Sequence, residues 1–527
     1  LALSDITSSG GAGASAAGGN AGSISLTTTG AITLNSSSIT AAGGTGSSDG
    51  DGADISVSNA VLLAGGAASV DTGDTTGDIT FSSTINGAQD LTLTAGTGNV
   101  TLSGVAGTAA GDANALASLT INSASAAALN DVFTTGAQAI TASGITLTGT
   151  TYNAGSSTFT LSGDAVLNQN TAITAATSTF GGTLNSSNTS NTTDLRTLGI
   201  TGNAVFDAAV GNSYKLGGLT VSGTTAINGG SIATSSDSAN SISGDQTYTG
   251  ALTLGANTTL TSGGGSIGFG STLNSDANGN RTLSLTSGAG DITFSGAVGG
   301  ATGGTLGAVT INAADDVTIA SGKTFSAASL NQATAGTGTF TLGGALTAST
   351  GAITIDSNAV DLNADLTANG SGETITITGA TDLGGDITTN AGAITLNSAV
   401  TLTDAARSIS TGSNSAGSIA FNSTLDGGED LSLTAGSGDI TFSDVVGTTR
   451  LGAVTINSAT DVTVADTKAF SAASIAQLDG SGTTTFGGTL GTNAQISGTN
   501  ANGIDLSGNA FTFKGAVTTT GSGAVAI

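Results

Sequence analysis

The chain is written almost throughout in one short phrase: apolar, any residue, apolar, bounded by Gly, Asn, Asp or Ser. Ile24-Ser-Leu26, Ile32-Thr-Leu34, Leu91-Thr-Leu93, Val100-Thr-Leu102, Ile292-Thr-Phe294, Ile353-Thr-Ile355 and Ile394-Thr-Leu396 are instances. Alternation at period two turns both apolar side chains to one face and Thr or Ser to the other, as a half-buried strand requires. The bounding residues tolerate turns and positive φ, and no stretch carries a sustained, capped helical stripe. Corresponding positions recur at a lag near twenty: Ile311 to Leu330, Leu342 to Leu362, Ile355 to Ile375 and Ile377 to Leu396. Two or three short strands and their turns fit in that lag. Winding them into one coil stacks each strand in register on the next, as parallel ladders with apolar residues inward and hydroxyls outward.

The prediction is therefore an all-β fold, a long parallel β-helix or β-solenoid of about 20 residues per coil. At ~4.8 Å per coil, 527 residues would make about 26 coils and a rod of about 125 Å. A string of antiparallel sandwiches would need longer strands, larger core aromatics and a repeat of roughly 90–100 residues; here the strands are short and Trp is absent. The absence of Pro suits strands paired on both edges. Scarce charge suits stacked coils, where like charges would face each other on every turn. The strand pattern at Ala524-Val-Ala-Ile527 predicts ends without caps, and hence continuation or end-to-end stacking.

Above the coil sits a longer repeat, opening with Ala60-Val-Leu-Leu, Ala251-Leu-Thr-Leu and Ala399-Val-Thr-Leu. It runs through Gly77-Asp-Ile-Thr-Phe, Gly265-Ser-Ile-Gly-Phe and Gly417-Ser-Ile-Ala-Phe, and closes on Phe180-Gly-Gly, Phe340-Thr-Leu-Gly-Gly or Phe486-Gly-Gly. The copies start at unequal intervals, so they are runs of coils rather than one fixed domain. Residues 1–59 form Gly-rich amino-terminal coils, 60–250 a first block with inserted coils, 251–398 a second and 399–527 a third, all expected in one continuous rod.

Composition excludes several classes of function. With no Cys, neither disulfides nor thiolate chemistry is available. With no Met, the chain is expected to be a mature portion or a piece of a longer product. The longest apolar run, near Val61 to Val70, is too short and Gly-broken to span a bilayer. Net charge is −27, and the eight basic residues, Arg196, Lys215, Arg281, Lys323, Arg407, Arg450, Lys468 and Lys514, are scattered. No basic patch exists for nucleic acid or anionic lipid. The Gly-rich stretch at Gly10-Gly-Ala-Gly13 lacks the following helix and Lys of a phosphate cradle and reads as a spacer.

The strongest local cluster is Asp49-Gly-Asp51-Gly-Ala-Asp54, where closely spaced carboxylates on a tight turn could gather around Ca²⁺. It lacks the full EF-hand pattern, so solvated turn aspartates are the plainer reading, as for Asp71, Asp74 and Asp78. No cofactor is required. Glycosidase chemistry would need two facing carboxylates, and the acidic neighbours Asp315-Asp316 and Glu429-Asp430 are adjacent residues that point apart on a strand. With no His, proton-shuttling partners are few, and the protein is not expected to be an enzyme. Thr-x-Thr pairs such as Thr92-Leu-Thr94 and Thr146-Leu-Thr148 invite an ice-binding reading, but Ser, Asn, Ala and Gly break the rank in sequence.

These segments, with Gln246-Thr-Tyr-Thr-Gly-Ala-Leu-Thr-Leu254 and Gly438-Asp-Ile-Thr-Phe-Ser443, resemble bacterial exoproteins of the filamentous haemagglutinin type. They are similar also to the very large β-strand-repeat surface proteins grouped with those. The resemblance is one of repeat style and covers nearly the whole chain. It implies a right-handed parallel β-helix, secreted or held at a bacterial surface, serving adhesion, biofilm or envelope structure. The expected function is an extracellular structural or adhesive rod. Its expected partners are cell surfaces, extracellular polysaccharide or further copies of itself, without nucleic acid or a membrane-spanning segment. The alternatives are a self-assembling filament or envelope-layer subunit, a carbohydrate-active β-helix enzyme, and an ice-binding protein.

Overall fold

The structure, a computed structural model, describes residues 1–527 except 109–112, 188–189, 301–303, 333–335, 415, 493–501 and 521–522. The chain divides into two units, Leu1–Ser266 and Ile267–Ile527. Each is a β-solenoid of parallel stacked coils, and the described residues contain no α-helix, only a single 3₁₀ turn at Ser238–Asn240.

One coil has three short strands, as in Ile79–Phe81, Ile85–Asn86 and Asp90–Thr94. Each stacks in parallel on its counterpart in the next coil, giving three ladders. In the first unit these run through Ile55, Ile79, Val100 and Ala127; Val132, Tyr152, Ile173 and Ile200; and Leu93, Ile121, Ile140, Leu161, Phe180 and Phe206. In the second unit they run through Leu330, Ile353, Ile375, Ile394 and Ile419; Val317, Phe340, Val360, Thr381 and Val400; and Phe325, Leu346, Leu366, Ile387 and Ile409. The expected alternation holds: Ile375 and Ile377 are buried on either side of half-buried Thr376.

The coil is less uniform than the predicted twenty residues. Its length ranges from 18 residues (Ala127 to Ile145) to 33 (Ile6 to Ile39), with coils about 22 residues apart and about 20 turns rather than 26. Most strands have three or four residues, and the corners between them vary. Interior aromatics stack along the ladders: Phe180 on Phe206 (5.2 Å between centroids), Phe269 on Phe294 (5.1 Å) and Phe421 on Phe442 (5.2 Å). Repetition of one position on successive coils puts identical rings within stacking reach.

The interior is not wholly apolar. At several corners a buried Ser or Thr hydroxyl donates back to a Gly carbonyl across the turn: Thr72 to Gly77 (2.9 Å), Thr134 to Gly136 (2.6 Å), Ser287 to Gly290 (2.8 Å) and Thr411 to Gly417 (2.7 Å). Two buried glutamines occupy inward strand positions and repeat one pattern. Gln138 Nε2 reaches the carbonyls of Val132 and Asn153 and the Thr134 hydroxyl; Gln246 Nε2 reaches those of Ile232 and Thr261 and the Thr234 hydroxyl. Turning the backbone inside a corner leaves carbonyls facing the interior, and these side chains satisfy them.

Residues 8–54 depart most from the plan. The Gly-rich corners here are not spacers. Gly18, Ala21 and Ile24 donate to Ser48, Asp51 and Asp54 of the next coil. Gly19 and Gly22 donate sideways to Gly11 and Ser8, Gly44 and Ser47 to Gly19 and Ala16, and Gly50 and Ala53 to Gly44 and Ala41. Bonds at every third residue in several directions fit extended segments of three residues per turn, the polyproline II period. Such segments approach closely only where side chains are absent. A Cβ on Gly10 would lie 1.7 Å from the Gly19 carbonyl oxygen, and one on Gly18 1.7 Å from that of Gly44.

Candidate functional site

The acidic residues, which carry most of the chain's charge, have a structural post. At coil corners an Asp carboxylate accepts the backbone N–H of the following coil: Asp54 from Asp78 (2.9 Å), Asp78 from Asn99 (2.8 Å), Asp164 from Thr183 (2.8 Å), Asp365 from Asp386 (3.1 Å), Asp439 from Asp461 (3.1 Å) and Asp461 from Thr483 (2.7 Å). Parallel ladders leave one N–H unmatched where a strand begins, and a short carboxylate one coil away reaches it, as an N-cap does in a helix. These are inter-coil staples.

The staples account for four of the candidate residues, Asp54, Asp78, Asp316 and Asp430. Asp54 is a staple, Asp49 closes its own turn by accepting from Gly46 N (3.3 Å), and Asp51 receives Asn20 Oδ1 on its backbone N–H (2.9 Å). Among the described residues no group of three or more His, Cys, Asp or Glu is placed to hold a metal ion, so the structure does not bring Asp49, Asp51 and Asp54 together as ligands. Asp71 closes a turn onto Gly73 N (2.7 Å). Of the adjacent acidic pairs, Asp316 accepts from Thr339 N (2.7 Å) and Asp430 from Ala453 N (2.6 Å), so one member of each is a staple.

Four ion pairs occur among the described residues: Arg196–Asp194, Arg281–Asp276, Lys468–Asp444 and Lys514–Asp466. The Arg281 guanidinium holds the Asp276 carboxyl below its usual range, and Lys468 does the same for Asp444. Asp237, at the start of the 3₁₀ turn, is held low chiefly by the Asn240 amide and also accepts from Asp194 N. Burial raises Tyr152 and Tyr248 well above the ordinary phenol range. Beside the 3₁₀ turn lies an open groove of about 400 Å³, lined by residues that include Gly199, Thr220, Asn240, Ser243 and Thr247. Its surface is neutral and polar apart from Asp245, a staple to Ser266 N (2.8 Å).

Two surface features were not legible in the local sequence. The first is a column of threonines in the second unit: Thr354, Thr376 and Thr395, then Ala420, then Thr441, Thr463, Thr485 and Thr512, one per coil and in register. Each comes from a separate strand, so the rank looks broken in sequence and is nearly continuous in space. The second is a corner loop that leaves the coil at a Gly of positive φ, namely Gly107, Gly211, Gly299 and Gly447. A recurring frame, Val210-Gly…Leu216-Gly, Val298-Gly…Leu306-Gly and Val446-Gly…Leu451-Gly, is the signal that could have found it. An amide or carboxylate on the preceding coil anchors it, Asn185 to Ser213 N and Tyr214 N, Asp426 to Thr449 N.

No helix of the described residues is long and apolar enough to cross a membrane. Compared with protein-family models, curated proteins and solved structures, the chain matches none.

Proposed function

We propose that the protein is an extracellular structural and adhesive component of a bacterial surface, working through its stacked-coil surface rather than through an enclosed site. The observation that carries this reading is the use of the aspartates. Many of the carboxylates, the side chains best able to perform chemistry, are stapled to backbone N–H groups of the next coil, and many outward positions between them are hydroxyls and amides. A surface of that kind offers many equivalent weak contacts to a repetitive partner, such as an extracellular polysaccharide or a neighbouring cell, and avidity then exceeds any single contact.

Two measurements test it. Antibody or protease added to intact cells should reach the protein, and purified chain should be retained on cells or polysaccharide with a strength that rises steeply when it is clustered on beads. Exclusion from the cell exterior, or no retention in either format, would end the proposal. A second reading, ice binding, has one observation in its favour, the column from Thr354 to Thr512. It ranks lower because Ala420 interrupts the column and the neighbouring outward positions are Asn397 and Asn422, joined to each other by an amide hydrogen bond (2.9 Å). Thermal hysteresis in dilute solution would promote it.

A further inference from the structure

The open groove beside the 3₁₀ turn of the Leu1–Ser266 unit is lined from two sources. One is a column of outward strand positions, Gly199, Thr220 and Thr247, in register on three successive coils and so about 10 Å long. The other is the loop that carries the turn, which contributes Asn240, Ile242 and Ser243. That loop is held by its own bonds. Asp237 and Ile242 exchange backbone hydrogen bonds (2.8 and 2.9 Å), and the buried Asp237 carboxylate accepts from Asp194 N (2.6 Å), Ala239 N (3.1 Å) and Asn240 Nδ2 (2.7 Å). Ile242 lies against Gly217, where a Cβ would stand 2.8 Å from Ile242 Cγ2.

Gly199 sits inside the strand Thr197–Phe206, where a glycine weakens the strand and usually marks a bulge, a close backbone neighbour or an approaching ligand. Its register with Ala172 and Thr220 is regular, so it marks no bulge. Its φ lies outside the left-handed region, and a Cβ placed on it would meet no atom within 4 Å, so no backbone presses on it. What its missing side chain does is leave the groove open. The polar atoms around that space are uncommitted. Among the described residues, the hydroxyls of Thr220 and Thr247 have no hydrogen-bond partner, and neither have Asn240 Oδ1 and Asn170 Nδ2. Each of those amides is anchored by its other atom, Asn240 Nδ2 on Asp237 and Asn170 Oδ1 on Thr197 N (3.0 Å).

We infer that this groove binds a short segment of a neutral polysaccharide. Its volume of about 400 Å³ lies toward the lower end of small-ligand clefts, about 300–1,000 Å³. Anchored amides and free hydroxyls offer donors and acceptors to sugar hydroxyls, and Ile242 with the open surface over Gly199 receives the C–H face of a ring. No Lys or Arg is among the described residues that line the groove, and the overall charge of −27 opposes an acidic glycan. The one carboxylate among them, Asp245, already accepts from Ser266 N (2.8 Å) and has no facing partner of the kind glycoside cleavage uses, so the groove holds sugar rather than cutting it. The choice of ligand rests on the adhesive reading, to which the groove adds one defined contact.

Saturation-transfer NMR titration of the purified chain tests it, with uncharged linear hexasaccharides of glucose, mannose, galactose and N-acetylglucosamine as probes and hexagalacturonate as the acidic control. Saturable binding of at least one neutral probe is expected, with a Kd at or below about 1 mM. Gly199→Val fills the space and should weaken that binding at least about tenfold. Its thermal midpoint should equal or exceed the parent's, since Val suits a strand better than Gly. Thr220→Val keeps the shape, removes one hydroxyl and should weaken binding roughly twofold to tenfold. No saturable binding of any neutral probe would overturn the inference, as would variants that bind like the parent or a preference for hexagalacturonate. Chain that ignores the soluble probes yet is retained on cells when clustered strikes the groove alone. Chain that binds a probe through Gly199 and Thr220 but is not retained supports the groove and strikes the adhesive reading.

Discussion

The glycine-rich corners at residues 8–54 and the side-chain ladders at residues 353–396 solve one problem in opposite ways. Both must stack backbone on backbone and leave no buried donor unpaired. In the ladders, Ile353, Ile375 and Ile394 fill the space between strands, and the backbone hydrogen bonds of the strands run from coil to coil. In the glycine corners side chains are few and small, so the segments approach until they bond sideways as well as along the stack. The first arrangement draws stability from apolar burial and the second from close backbone contact, with a large loss of chain entropy for each glycine ordered. What the contrast teaches is that a solenoid tolerates long corners only where they build a packing system of their own.

The comparison can be broken most severely at the aromatic stack. Phe294→Ala removes a ring packed on Phe269 at 5.1 Å and on Phe325 at 5.3 Å, and should cost about 3–5 kcal/mol. Hydrogen exchange should show that loss propagating to neighbouring coils, because each coil is supported by the next. Gly18→Val should cost roughly 1–3 kcal/mol by overpacking, with faster exchange confined to residues 8–54. Spread of that exchange into the ladders would refute the separateness of the two systems. Asp164→Ala removes the acceptor for Thr183 N and should cost roughly 1 kcal/mol, while Asp164→Asn, which keeps an acceptor oxygen, should cost less. An equal loss in both variants would deny the staple.

The smallest effects are those of pH. Asp276 and Asp444 have folded-state values below ordinary aspartate, so the stability they contribute is present above the ordinary value and disappears as pH falls through the folded one. Acid should therefore loosen the Arg281 and Lys468 corners, read as earlier exchange there at about pH 3 than at about pH 6. Tyr152 works in the other direction. Its folded value is raised, so its contribution is complete below the ordinary phenol value and declines above about pH 10. Tyr152→Phe should remove that alkaline sensitivity and lose the bond to the Leu129 carbonyl (2.6 Å).

Much of the coil was legible because its cause is local. Period-two alternation in Ile353-Thr-Ile355 dictates which side chains turn inward, whatever their partners turn out to be. The site was less legible. Asp164 and Asp54 look like solvated turn residues until the next coil brings an N–H onto each carboxylate, and that neighbour is about one coil away in sequence, at a distance set by corner length. Uneven corners also displace the recurrent loop. Within the first unit Ala106 lies on the ladder of Val132, whereas Val210 lies on that of Leu184. Within the second, Val298 lies on the ladder of Phe325 and Val446 on that of Phe470. Repeats that look alike along the chain thus face different sides of the coil.

By itself the sequence determined the strand, its inward face, the lag that stacks coils and the glycines that allow close approach, because each follows from steric rules acting within a few residues. Only the tertiary structure decided which residues meet one coil apart. That register assembled the threonine column, turned acids into staples and left Asp361 and Asp382 side by side, because the variable length of every intervening corner sets it.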